Sequence, residues 1–87
     1  MKVEHRLTIA AICPVDGSRD IYKVTVETRE MIDVEQILAE VAHATKQAVY
    51  QEHLTVQLAA ALGTRVTTKG THSGVRTVCV ADRSMPA

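Results

Sequence analysis

The sequence predicts an α+β subunit in which a four-stranded antiparallel sheet is covered on one face by helices. Three observations carry this. Two segments with alternating apolar residues open the chain, the period switches to that of an amphipathic helix in the middle, and two more alternating segments close it. Strands grouped at both ends with helices between them, in the order β-β-α-α-β-β, give helices packed against one side of an antiparallel sheet. At 87 residues the chain forms one domain spanning residues 1–87.

The first strand is expected over residues 3–13, where Val3, Leu7 and Ile9 alternate. Pro14-Val15-Asp16-Gly17-Ser18 is a turn, with Asp-Gly as the hairpin signal. The second strand runs over residues 21–29, with Tyr22, Val24 and Val26 on one face and Lys23, Thr25 and Glu27 on the other. Asp33, three residues before Gln36, predicts a capping box at a helix start, followed by a stripe of Val34, Ile37, Leu38, Val41 and Ala42 that Ala48 continues. A second helical segment runs over about residues 52–62, with Leu54, Leu58, Ala61 and Leu62 near one face and Gly63 as its terminator. With no Gly or Pro at 47–51, the pattern leaves one or two helices open. The last two strands fall over residues 66–72 and 75–81, joined at Ser73-Gly74. Residues 82–87 are polar and contain Pro86, which predicts a frayed, disordered tail.

Composition restricts the function classes. The formal net charge is zero and no two lysines or arginines are adjacent, so no basic nucleic-acid patch is visible. No stretch approaches the roughly 20 apolar residues of a membrane span, and the start, Met1-Lys2-Val3-Glu4-His5-Arg6, is too polar for a secretory leader. A cytoplasmic protein with reduced thiols is expected. A chain of this length buries only about 60–65% of its unfolded surface, and this one has no Trp, no Phe and two Tyr. Self-association supplies the missing core, and a four-stranded sheet has two open edges through which to do it.

The chemistry-bearing segment is Cys13-Pro14-Val15-Asp16-Gly17-Ser18-Arg19-Asp20. Cys13 ends one strand of a hairpin and Asp20 begins the other, so a nucleophilic sulfur and a carboxyl group that supplies or accepts its proton meet across one site. On spacing alone the commoner reading of each is structural, a small buried hydrophobe and a turn residue. Glu52, at the start of the second helical segment, is either a favourable first-turn carboxylate or an acceptor for two N–H groups of a guanine-like edge. Cys79 alternates with Val78 and Val80 and reads as strand packing; His5 reads as an exposed strand residue and His43 as a solvated helix residue. His53 and His72 neighbour Glu52 and the Ser73-Gly74 join. No chelate spacing of His or Cys supports a metal site, and no Gly-rich loop supports a phosphate cradle.

The stretch from Ile12 to Asp20 resembles the Cys-Pro-x-x-Gly-x-x-Asp signature of the 7-cyano-7-deazaguanine nitrile reductases of queuosine biosynthesis. Their archaeal relatives, the archaeosine-forming amidinotransferases (QueF-like enzymes of tRNA modification), share the Cys and Asp at that separation. Gln51-Glu52-His53-Leu54-Thr55-Val56-Gln57-Leu58 resembles the family's His-Glu-x-x-x-x-x-Leu helix start, and Leu54–Leu58 with Gly70-Thr71-His72 is also similar to GTP cyclohydrolase I. All have the tunnelling fold (T-fold), whose β-β-α-α-β-β subunits close into oligomeric barrels. The resemblance implies that Cys13 attacks the nitrile to form a thioimide, that Asp20 protonates the nitrile nitrogen, and that Glu52, with Gln51 and His72 beside it, binds the heterocycle. It also implies a homo-oligomer with sites between subunits, acting on a 7-deazaguanine as free base or within tRNA.

The departures select among activities. The reductases follow their second strand with a lysine-containing Glu-Ser-Lys-Ser-Leu-Lys motif that helps bind NADPH; here Glu27 to Gln36 is acidic and contains no lysine. No bound cofactor is therefore expected, and amidine formation is favoured over NADPH-dependent reduction, with a non-catalytic purine- or pterin-binding module as the reading from another class. The family's His before the anchoring Glu is Gln51 here. The position of a zinc Cys in GTP cyclohydrolase, two residues after its His, is Gly74, so no metal is expected.

Overall fold

The computed structural model describes residues 1–83. Six elements follow in the expected order: β1 (Val3–Ile12), β2 (Arg19–Thr28), α1 (Val34–Ala44), α2 (Gln51–Leu62), β3 (Arg65–His72) and β4 (Val75–Ala81). The strands form one antiparallel sheet in the order β1-β2-β3-β4.

Register decides what faces the helices. Ile9 lies opposite Tyr22 and Leu7 opposite Val24, Val24 opposite Thr68 and Val26 opposite Val66, Thr68 opposite Cys79 and Val66 opposite Ala81. Because alternate residues point to opposite faces, odd positions of β1 and β4 and even positions of β2 and β3 share the covered face. The core forms there, from Ile9, Tyr22, Val24, Val26 and Val66 against Ile37, Leu54, Leu58, Ala59 and Leu62. Each large side chain so buried stabilises the fold by roughly 1.5–3 kcal/mol.

Several local expectations are corrected. β1 ends at Ile12, not Cys13, and β2 starts at Arg19, ahead of the expected Ile21. Asp33 occupies the N-cap of α1, but its side chain caps nothing; the backbone carbonyl of Asp33 accepts from Gln36 N–H at 3.0 Å instead. Among the described residues there are two helices. Ala48 lies in the connection between them, where Val49 N–H donates to Ile12 O at 3.0 Å and ties the connection to the end of β1. Val34 and Leu38, expected on the buried stripe of α1, are half exposed, and Ala42 and Ala61 are exposed. His5 faces the helix side and is half-buried rather than exposed. The polar tail begins in order: Asp82 accepts from Arg65 Nε at 2.9 Å. The rest of the expected frayed segment, 84–87, lies outside the described residues. α2 closes as expected, with Gly63 at φ 67° sending its N–H to Ala59 O.

Candidate functional site

The β1–β2 connection is a compact loop. Cys13 N–H donates to Ser18 O at 2.8 Å and Gly17 N–H to Cys13 O at 2.9 Å. Gly17 sits at φ 73°, a left-handed conformation that costs glycine little. Asp16 Oδ1 accepts from the Ser18 backbone N–H at 2.9 Å and from its hydroxyl at 2.6 Å, an Asx turn. The Asp16 carboxyl is held below the usual carboxylate range by the Ser18 hydroxyl, then by the Ser18 N–H and the Cys13 thiol.

The same parity that builds the core brings the candidate residues together. Asp20 pairs with Ala11 and shares its face, and Cys13 continues that face two residues past Ala11. On β3, His72 follows Val66, Thr68 and Gly70 on the covered side, and Thr77 pairs with Gly70. α2 starts above this end of the sheet because Val49 is pinned to Ile12, which delivers Gln51 and Glu52. Cys13, Asp20, Gln51, Glu52 and His72 all line one concavity of about 410 Å³, within the roughly 300–1,000 Å³ of small-molecule sites. Cys13 and Asp20 are half-buried, whereas Glu52 is exposed in the first turn of α2, where free backbone N–H groups favour a carboxylate. Among the described residues, no lysine or arginine lines this concavity, while Asp16, Asp20 and Glu52 do.

A hydrogen-bonded chain underlies the pocket floor. Tyr22 O–H donates to Asp20 Oδ2 at 3.2 Å, and His72 Nδ1 lies 3.9 Å from Asp20 Oδ1. His72 Nε2 is 2.8 Å from Gln51 Oε1. Burial, then the charge of Asp20, pushes the Tyr22 phenol well up, so it remains a donor. Gln51 lines the pocket, but both of its amide atoms are bonded within the protein, so it bears on a ligand through His72 rather than by contact. The Tyr22 ring lies against Gly70: a Cβ there would come within 2.5 Å of Tyr22 Cδ1.

Sequence reasoning took Tyr22 as core alone, met Gly70 only within the likeness to GTP cyclohydrolase I, and passed over Thr68 and Thr77. The available signal was parity, since Tyr22 is two residues from Asp20 and shares its face. Cys79 packs under α2 as a half-buried thiol that burial, then Glu52, pushes up. His43 and His53 are exposed; His53 lies edge-on to Tyr50 and does not line the concavity. A larger concavity of about 730 Å³ lies at the other end of the sheet, between the end of β2 and Asp82, but it contains none of the candidate residues. Among the described residues, no three His, Cys, Asp or Glu side chains cluster as metal ligands, and no helix is long and apolar enough to cross a membrane.

No family model and no curated protein matches the chain by sequence. Among solved structures, the crystal structure of the archaeosine synthase QueF-Like in its apo form matches with a TM-score of 0.83. The match is 22% identical in sequence and covers 98% of this chain and 96% of that one. At that identity the agreement establishes a common fold: the β-β-α-α-β-β arrangement is the tunnelling-fold subunit expected from the sequence.

Proposed function

We propose, from the fold shared with a QueF-like archaeosine synthase, that this chain is a QueF-like enzyme of 7-deazaguanine metabolism. It would attack the nitrile of 7-cyano-7-deazaguanine through Cys13. The observation that carries the reading is the convergence of Cys13, Asp20 and Glu52 on one concavity of about 410 Å³. Three carboxyl groups without a lysine or arginine suit a neutral heterocycle rich in N–H donors and disfavour a phosphate.

Glu52 accepts the ring N–H and the exocyclic amine, which aims the nitrile at Cys13. The Cys13 Sγ–carbon bond forms as one C–N π pair moves onto nitrogen, which takes its proton from Asp20. The thiol proton is released to the site, so the net change is addition of S–H across the nitrile. Ammonia or an amine then adds to the thioimide carbon, Sγ leaves with a proton as the thiol, and the product is an amidine. Amidine formation is favoured over reduction because the acidic stretch Glu27 to Gln36 leaves β2 at the end opposite Cys13 and holds no lysine for a dinucleotide phosphate. The open edges of β1 and β4 are where copies of the chain join into a homo-oligomer.

Mixing the protein with 7-cyano-7-deazaguanine and recording the intact mass tests this. The expected gain is the whole mass of the nitrile, lost in Cys13→Ala. Ammonium should then release the amidine, while NADPH should give no aminomethyl product. Tight reversible binding with no adduct would instead mean a binding module.

A further inference from the structure

Gln51 is 2% exposed and its orientation is fixed from one side. Its side-chain nitrogen lies 3.2 Å from Thr68 O and 3.1 Å from Thr77 O. Backbone carbonyls only accept, so the amide must turn its NH₂ towards them and its oxygen away. That oxygen meets His72 Nε2 at 2.8 Å. An amide oxygen also only accepts, so Nε2 carries a hydrogen.

The other ring nitrogen, Nδ1, then faces Asp20 Oδ1 at 3.9 Å. On a neutral ring this would set a bare lone pair against a carboxylate oxygen. One proton between them removes the conflict, as imidazolium with carboxylate or as imidazole with carboxylic acid. The separation exceeds a direct hydrogen bond, and a small ring movement closes it. The pair sits among the groups that line the concavity. Cys13 and Asp16 face it from the loop, Tyr22 from β2 as a donor to Asp20 Oδ2, and Glu52 from α2, while β4 contributes only the uncharged Thr77.

We infer that His72, locked in its Nε2–H form by Gln51, holds the proton that Asp20 delivers to the nitrile nitrogen and restores it to Asp20 after each transfer. His72 is thus a positioning residue acting through Asp20. That one proton passes from Nδ1 through Asp20 to the nitrile nitrogen, and the proton given up by the Cys13 thiol reloads the pair. The catalytic part of this inference rests on the proposed nitrile addition; the tautomer does not.

Two measurements separate them. Long-range proton–nitrogen NMR of the ligand-free protein should show the neutral His72 ring protonated at Nε2, and a neutral ring protonated at Nδ1 overturns the inference. His72→Gln keeps an amide donor for Gln51 but has no nitrogen that titrates. It should slow adduct formation with 7-cyano-7-deazaguanine by about 100-fold, yet leave alkylation of Cys13 by iodoacetamide, which needs no proton donor, within about twofold of wild type. Unchanged adduct formation, or equal slowing of both reactions, overturns the proton-holding role. A wild-type protein that forms no adduct refutes the nitrile chemistry and that role with it, while the NMR result still decides the tautomer.

Discussion

Replacing Gly70 with alanine adds one methyl group and should cost far more than a methyl on a strand ordinarily does. Gly70 has no left-handed backbone to defend, so alanine is compatible with its conformation. The new Cβ, however, would lie 2.5 Å from Tyr22 Cδ1 and 2.6 Å from Cε1, about 1 Å inside the usual carbon–carbon contact. The Tyr22 ring is 1% exposed and packed on every side, so it cannot retreat freely. Overpacking of this kind costs about 1–3 kcal/mol, offset by roughly 0.5–1 kcal/mol gained from restricting the unfolded chain. The net loss, on the order of 1–2 kcal/mol, lowers the melting temperature of a domain this size by about 4–16 °C. Thermal unfolding at fixed protein concentration measures it, and a cycle with Tyr22→Leu identifies its source. In the Tyr22→Leu background the alanine should cost nothing further. A full penalty there, or none in the wild type, refutes the contact as the reason for glycine.

Four further outcomes follow from the same geometry. Gln51→Leu removes the donor to Thr68 O and Thr77 O and the acceptor for His72, and should destabilise by about 2–4 kcal/mol in urea unfolding. Leu58→Ala, at a position 1% exposed, should cost about 2–5 kcal/mol by leaving a cavity. Tyr22 should remain a phenol through pH 10, where a free tyrosine ionises, so an ultraviolet titration of the folded protein should show no ionisation from it. Asp16 has a lowered folded-state value, so its contribution is present above the ordinary carboxylate range and is lost as pH falls through that lowered value. Carboxyl NMR should find it titrating below about 3.9, and nearer that value in Ser18→Ala.

The legible part of the site was the part built by local sequence. Cys13 and Asp20 belong to one hairpin whose loop length and Asp-Gly turn fix their approach, and Glu52 belongs to a helix start that the apolar spacing marks. Where reading along the chain misplaced residues, long-range packing had the deciding voice. The apolar stripe of α1 is wider than the surface available to it, so Val34 and Leu38 remain half exposed. Ala48 fits a helical period, yet the tie from Val49 to Ile12 ends helical structure before it.

The order of elements, the alternation that sends Tyr22, Val24 and Val26 inward, and the hairpin holding sulfur and carboxyl together follow from residues near one another in the chain, because periodicity and turn chemistry are local properties. The pairing of His72 with Asp20, the rotation of the Gln51 amide and the need for a bare Gly70 beneath Tyr22 arise only when β3 docks beside β2 and α2 settles on both. Those contacts join positions tens of residues apart, and hydrogen-bond direction and ring clearance exist only once three-dimensional packing has set the distances.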